Sequence, residues 1–242
     1  METKLSTKPI IPEYGEIPKP ELVIRPQTMD EEYDRVRFYI NRLPWYAEHG
    51  YKLILPDHPV FQQLTQDGAD LAPLESTATR ELFAKEVYNV DSYVGRLREV
   101  EADRPIIEQA FPRFQNLNAQ WGFKMFPRYE IALTHFGTLG SYDEKLGKII
   151  VSIQVKWPPK KTAIHEGVHI GIESNVVQRF GLSHWEKERV VDLICSLRFG
   201  DLLPGYILQP QGDEKINPFV TDKNLGDLPK SISEYIKIYP RK

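Results

Sequence analysis

Several features that mark particular classes of protein are scarce or missing in this sequence. A single cysteine, Cys195, excludes an internal disulfide and favours a reducing compartment. No apolar run is long enough to span a membrane. The first seven residues lack the apolar core of a signal peptide, so we expect a cytoplasmic protein. The 31 basic and 34 acidic residues nearly balance, and we therefore expect neither nucleic acid nor a membrane as a partner.

The composition is otherwise ordinary for a globular protein, and 242 residues are enough to bury one substantial core. Five prolines fall within the first thirty residues and predict a proline-rich extended arm over 1–29. Whether that arm is a loose tail or binds a partner stays open. We expect the remainder to form a single α+β domain, mainly helical over 30–127, with a sheet and two helices over 128–200 and loop-rich over 201–242.

The spacing of apolar residues places the main elements of that domain. Helices are predicted from Asp30 to a point before Pro44, from Ser76 to Val90, and from Ser92 to about Asn116 with an interruption near Pro105. Alternation of apolar and polar residues predicts two strands, Tyr129–Phe136 and Lys148–Val155. We expect these strands to belong to a small, mostly antiparallel sheet.

The most informative stretch reads H-E-x-x-H, from His165 to His169. Residues four apart lie on the same face of an α-helix, so both imidazoles can point at one metal ion. Glu166 lies beside the first histidine and can reach a water held on that ion. Apolar residues recur every four positions here, which predicts a helix with one buried face. Gly167 and Gly171 lie beside that face and indicate close packing against another element.

Catalytic zinc usually has three protein ligands, so a third ligand is expected elsewhere in the chain. Ser183 and Glu186 fit the S-x-x-E capping box that starts a helix. Glu188 follows in the first turn of that helix and is the expected third ligand. Asp192 lies one turn further on, where it can accept the remaining ring N–H of a ligating histidine. Glu173, on the first helix, is either a rival ligand or a residue that supports the site from outside.

H-E-x-x-H followed after eighteen residues by E-x-x-x-D resembles the gluzincin metallopeptidases, which include the thermolysin-like enzymes and the zinc aminopeptidases. The resemblance covers Thr162 to about Phe199. It implies a zincin-like fold, one Zn²⁺ ion, and hydrolysis of peptide bonds in a peptide or protein substrate. The site residues that it implies are the zinc ligands His165, His169 and Glu188, the general base Glu166 and the outer carboxylate Asp192.

Three departures from the gluzincin pattern are visible. Lys187 precedes the expected third ligand, where thermolysin-like enzymes have asparagine. The G-x-M-x-N motif of the aminopeptidases is missing, and no histidine follows His184 to serve as the downstream catalytic histidine of thermolysin-like enzymes. Two alternatives therefore stay open: a non-catalytic zinc-binding module that holds a peptide, and a zinc hydrolase that acts on a non-peptide substrate.

One further histidine and one further segment supply candidate site residues. His184 begins the second helix and is either a hydrogen-bond donor to the developing oxyanion or a solvated polar residue. The residues Gly137, Thr138, Leu139 and Gly140 form either a substrate-binding edge or a glycine-rich hairpin loop. The resemblance to zincin-like peptidases implies the substrate-binding edge, because in those enzymes the strand before the zinc helix lies along the cleft.

Overall fold

The chain has an α+β fold built on a four-stranded mixed sheet. The computed structural model describes residues 19–241. In chain order the strands are β1 Glu21–Pro26, β2 Arg128–Thr134, β3 Gly140–Asp143 and β4 Lys148–Ser152. Their order across the sheet is β1-β2-β4-β3. Strands β1 and β4 are both parallel to β2, and only β3 is antiparallel to its neighbour, β4.

The prediction of a mostly antiparallel sheet is therefore wrong, because two of the three strand pairings are parallel. Alternation of apolar and polar residues identifies a strand but does not say which strand lies beside it. After β2 the chain crosses to β3 at the edge of the sheet before it returns as β4, which makes β2 and β4 parallel neighbours. Strand β1 reaches β2 across the whole helical part of the chain, a pairing that no local pattern indicates.

Strand β1 lies within the segment that was expected to form an extended arm. Residues 21–26 pair with β2 along their whole length, and Leu22 is buried in the main core. These residues therefore belong to the domain rather than to an arm outside it. Pro26 is the last residue of this edge strand, a position that tolerates proline. The part of the predicted arm from residue 1 to residue 18 lies outside the described residues.

The α-helices are, in chain order, α1 Met29–Ile40, α2 Leu43–Glu48, α3 Pro59–Leu64, α4 Thr77–Leu82, α5 Val94–Trp121, α6 Pro159–Ile172, α7 His184–Phe199 and α8 Leu228–Ile238. A π-helical turn continues α4 over Phe83–Val87 and another continues α6 over Glu173–Gln178. Short 3₁₀ turns lie at Ala72–Glu75, Val90–Tyr93, Glu214–Phe219 and Leu225–Asp227. No helix within residues 19–241 combines the length and apolarity that crossing a membrane requires.

The helical character predicted for the first half of the chain is confirmed. Helix α1 starts with a capping box in which Thr28 and Glu31 each bond the backbone of the other. The helix predicted over 76–90 is α4 with the π-helical turn that follows it. Helix α5, however, runs unbroken through Pro105, where an interruption was predicted, and also through Pro112. The buried face of α5 is held by the core, and this packing outweighs the helical hydrogen bonds that the prolines remove.

Two hydrophobic clusters hold these elements together. The larger cluster lies between the sheet and the helices α5 to α8. The smaller one lies among α1, α3 and α4, and it includes Tyr33, Val36, Phe61 and Phe83. Phe136 also belongs to the smaller cluster and lies two residues after the end of β2, so this cluster connects the N-terminal helices to the sheet.

Helices α6 and α7 pack against each other and position the candidate site. A Cβ added to Gly171 would lie 1.9 Å from a ring atom of Phe123, and one added to Gly167 would lie 3.1 Å from an aromatic ring of α5. The close packing predicted at both glycines is therefore confirmed. The capping box of Ser183 and Glu186 is also confirmed, and it starts α7.

The C-terminal part is more regular than the loop-rich segment that was predicted over 201–242. Helix α8 has Pro229 in its first turn, where the missing N–H has no helical partner to lose. The helix buries Leu228, Ile232 and Tyr235 against the rest of the molecule. Pro229, one of the prolines that suggested short irregular segments, therefore lies at the start of a helix.

Candidate metal centre

Helices α6 and α7 bring the three predicted ligands together. The Nε2 atoms of His165 and His169 lie 3.1 Å apart. The Oε2 atom of Glu188 lies 3.5 Å from the first of these nitrogens and 3.3 Å from the second. Within residues 19–241 these three side chains form the one group of histidine, cysteine and carboxylate residues with the spacing of a metal site.

This triangle has the dimensions of a tetrahedral metal site. Zinc binds imidazole nitrogen and carboxylate oxygen at about 2.0–2.1 Å, which places two such ligand atoms roughly 3.3 Å apart at a tetrahedral angle. The three observed edges, 3.1, 3.5 and 3.3 Å, agree with that value. Two imidazoles and one carboxylate also form a donor set that suits zinc, with a fourth position left for water or substrate.

Two of the predicted ligands, His169 and Glu188, are buried, and their surroundings favour the protonation states that a metal needs. The side chain of His169 is only 3% exposed, and burial lowers its pKa to about 4. Burial opposes ionisation of Glu188, but the two neighbouring imidazoles lower the pKa of this carboxyl overall. A neutral His169 and an ionised Glu188 are the forms that coordinate a cation.

A hydrogen-bonded chain fixes the ring of His165. Its Nδ1 lies 2.7 Å from the hydroxyl oxygen of Tyr206, and that hydroxyl donates to Oδ1 of Asp192 at 2.7 Å. Because the tyrosine proton goes to the aspartate, the Nδ1–H of His165 donates to the tyrosine oxygen. The lone pair of Nε2 is then directed into the triangle. Asp192 was predicted to contact a histidine directly, but its Oδ1 lies 3.8 Å from Nδ1 and acts through Tyr206.

The ring of His169 is held by packing instead. It stacks on Tyr142 with ring centroids 5.0 Å apart and planes within 9°. The Nδ1 atom of His169 is buried and has no hydrogen-bond partner among the described residues. The hydroxyl of Tyr142 donates to Glu173 at 2.7 Å and accepts from Lys187 at 3.2 Å. Glu173 therefore lies outside the triangle and reaches the site through Tyr142.

Glu166 is placed beside the triangle and beneath strand β3. A Cβ added to Gly140 would lie 2.4 Å from Oε1 of Glu166, so glycine at this position makes room for the carboxylate. The glutamate is 7% exposed, and burial raises its pKa to about 7. A carboxylate that titrates near neutrality is well matched to general-base catalysis.

The predicted substrate segment is divided between two environments. The residues Thr138, Leu139 and Gly140 line the cleft above the triangle. Gly137 is instead paired with Ile54 in an isolated bridge, and a Cβ added to it would lie 2.0 Å from the ring of Tyr39. Its φ of +93° also favours glycine.

His184 also faces the cleft, where it contacts the segment that follows α2. Its Nε2 atom lies 2.5 Å from the hydroxyl oxygen of Tyr51, and its Nδ1 atom lies 3.8 Å from Oε1 of Glu188. Burial lowers the pKa of His184. Burial, followed by the charge of Glu188, raises the pKa of the Tyr51 hydroxyl. The pair therefore places neutral hydrogen-bonding groups near the triangle.

Three residues of the site were not predicted from the sequence. Tyr51 comes from the helical part, whereas Tyr206 and Gln209 come from the loop after α7. The side-chain amide of Gln209 donates to Oε2 of Glu188 at 2.8 Å, and its backbone N–H donates to Asp192 at 2.6 Å. No spacing rule connects these residues to the motif. For Tyr206 and Gln209, the nearest signal is that they are polar residues in the short stretch between Pro204 and Pro210.

The triangle opens into a cleft of about 590 Å³. Residues of β3, of α7 and of the loop after α7 line it, and so do aromatic residues of the helical part, among them Tyr39, Trp45 and Tyr51. In comparisons with known proteins, no protein-family model, curated protein or solved structure matches this chain. The resemblance to gluzincins therefore rests on the motif residues alone.

Proposed function

We propose that this protein is a zinc-dependent metallopeptidase with a zincin-like arrangement. The observation that carries the proposal is the triangle of His165, His169 and Glu188 with the buried carboxylate of Glu166 beside it. A zinc ion held by these ligands would acidify a bound water and polarise a substrate carbonyl. This donor set, its ligand spacing and the general base are the parts that such chemistry requires.

Glu166 performs the proton transfers in this proposal. Its buried carboxylate would accept a proton from the attacking water and then pass it to the leaving amine. An atom added at Gly140 would lie against both the Glu166 carboxylate and the Thr162 methyl group, so these two side chains fill the space beside that glycine. Tyr51 and His184 are the candidates that stabilise the developing oxyanion with a hydrogen bond.

Strand β3 supports a peptide as the substrate. It is the last strand of the sheet, and it pairs with β4 on one side only among the described residues. The outer side of Gly140–Asp143 can therefore bond an extended peptide through main-chain groups. Thr138, Leu139 and Gly140, at the start of this edge, line the cleft directly above the candidate metal centre.

The proposal is tested by metal analysis and by hydrolysis of a fluorogenic peptide library with wild-type protein and Glu166→Gln. We expect one zinc ion per chain in both proteins and hydrolysis by the wild type alone, with a loss of at least about 100-fold in the variant. The matched control is Glu108→Gln on α5. The carboxylate of Glu108 pairs with Lys19 and does not line the cleft. Unchanged hydrolysis by Glu166→Gln would disprove the role of Glu166. A zinc-loaded wild type that cleaves no peptide would favour the binding module or a non-peptide substrate.

A further inference from the structure

The cleft around the candidate metal centre is lined by as many lysines as carboxylates. These residues are Lys52, Lys161, Lys187, Glu166, Glu188 and Asp192. Their charges cancel when all six are ionised, so a divalent cation on the triangle leaves the cleft with an excess of positive charge. A cleft with this balance attracts an anionic substrate.

One of the three lysines is placed to bind such an anion. Lys187 donates to the hydroxyl of Tyr142, and Lys52 is exposed at the outer edge of the cleft. Lys161 is partly buried, yet its ammonium group has no hydrogen bond or ion pair with any side chain in the described part of the chain. Its donors are therefore available to a ligand in the cleft.

Aromatic rings hold that ammonium group in place. Nζ of Lys161 lies 4.9 Å from the ring centre of Tyr206 and 5.2 Å from that of Trp157. Both rings are themselves fixed: the indole N–H of Trp157 donates to Thr162 at 2.9 Å, and the hydroxyl of Tyr206 is bonded between His165 and Asp192. Contacts with ring faces orient a cation without occupying its N–H groups.

The position of Lys161 relates it to the metal ligands. It precedes His165 by four residues, so the two side chains lie on the same face of α6 about 6 Å apart along the helix axis. That separation corresponds to roughly two residues of extended chain. A carboxylate bound by Lys161 would thus belong to a residue next to, or one removed from, the bond at the metal.

We propose that Lys161 binds a carboxylate of the substrate, supplied either by an acidic side chain or by a peptide C-terminus. This assignment rests on the proposed metallopeptidase function and specifies the substrate of the same site. Lys160 provides a matched comparison, because it is the adjacent lysine on α6 but its ammonium group lies 3.7 Å from Asp103 and outside the cleft.

The experiment measures binding rather than hydrolysis. Zinc-loaded protein is titrated calorimetrically with short peptide hydroxamates, which bind a metal directly. One pair of probes has leucine next to the hydroxamate and ends in a carboxylate or a carboxamide. The second pair is amidated at its C-terminus and carries glutamate or glutamine at that residue. The proteins are the wild type, Lys161→Met, Lys161→Arg and Lys160→Met.

We expect the wild type to bind the carboxylate member of one pair about tenfold more tightly than its neutral partner, as one charge-assisted hydrogen bond provides. Lys161→Met should lose this preference and keep its affinity for the neutral probe, whereas Lys161→Arg and Lys160→Met should retain it. The pair that shows the effect identifies the source of the carboxylate.

Equal binding of both members of each pair by the wild type, or a preference that survives Lys161→Met, would overturn the assignment of Lys161. In that case the neutral probes still bind, and the metal centre stands. If no probe binds the zinc-loaded protein, the metal has no open position for a ligand. That result would disprove both the proposed metal site and the assignment of Lys161. Peptide hydrolysis is measured separately, so its absence with an intact carboxylate preference would count against the peptidase activity only.

Discussion

The two sides of the candidate metal centre are built from different kinds of contact. We define the α7 side as Asp192, Tyr206 and Gln209, and the β3 side as Gly140, Tyr142 and Glu173. On the α7 side hydrogen bonds of 2.6–2.8 Å connect these residues to His165 and Glu188. On the β3 side the ring of Tyr142 stacks on His169, and the lack of a side chain at Gly140 makes room for Glu166.

This difference indicates what each side can tolerate. Hydrogen bonds determine which ring nitrogen carries the proton and where its lone pair points, so the α7 side should be sensitive to the loss of a single polar atom. Packing fixes position by volume, so the β3 side should tolerate the loss of a hydroxyl but not the addition of a methyl group. The predictions below test this contrast.

The largest effect is expected where the two sides meet, at Glu188. We expect Glu188→Ala to weaken zinc binding by more than about 100-fold, because even residues that only support a ligand contribute 10- to 100-fold. Competition with a chromophoric chelator measures the affinity. Glu173→Ala removes a carboxylate that lies outside the triangle, so this variant should keep nearly all of the wild-type zinc affinity. Similar affinities in the two variants would show that Glu188 is not a ligand.

Steric change on the β3 side is expected to affect catalysis and not metal binding. In Gly140→Ala the new Cβ would lie 2.4 Å from Oε1 of Glu166, so the carboxylate must move. A displacement of about 1 Å costs roughly 100-fold in rate, and we expect that loss in kcat with zinc content unchanged. Gly226→Ala, where nothing lies within 4 Å of the added atom, is the control. Full activity in Gly140→Ala would contradict the proposed position of the base.

A matched pair of hydroxyl deletions compares the two sides directly. Tyr206→Phe breaks the link between His165 and Asp192 and should weaken zinc binding by about 10- to 100-fold. Tyr142→Phe keeps the ring that stacks on His169 and should weaken zinc binding by less than about threefold, since only outer hydrogen bonds are lost. Equal losses in zinc affinity would remove the distinction between the two sides.

The smallest effect concerns the start of α7, which carries Glu188. Burial opposes ionisation of Glu186, but hydrogen bonds from Arg241, Tyr235 and the Ser183 backbone lower its pKa from 4.5 to about 2. The unfolded chain therefore binds more protons in this range, so stabilisation by Glu186 is complete above about pH 4.5 and is lost as the pH falls toward 2. We expect the free energy of unfolding, measured by urea unfolding of metal-free protein, to decrease less steeply in Glu186→Gln than in the wild type as the pH falls over this range. Parallel pH profiles for the two proteins would contradict this.

The helices and caps could be predicted because their signals are local. The capping box of Ser183 with Glu186 needs only its own few residues. The glycines beside the apolar face of α6 likewise predicted close packing, although only the structure shows that Phe123 is the partner of Gly171. The failures were of another kind. The continuity of α5 through Pro105 depends on packing, which an isolated helix does not have.

The spacing of His165 and His169 is enough to place both histidines of the candidate metal centre on one helical face, whatever surrounds them. The sequence also indicated Glu188 through its spacing from the motif. The parallel pairing of β1 with β2 follows from the folding of the whole chain, as does the position of Tyr206 and Gln209 beside the candidate ligands. These contacts join residues far apart in the chain or on irregular loops, where no periodicity relates one partner to the other. Their formation depends on how the whole core packs.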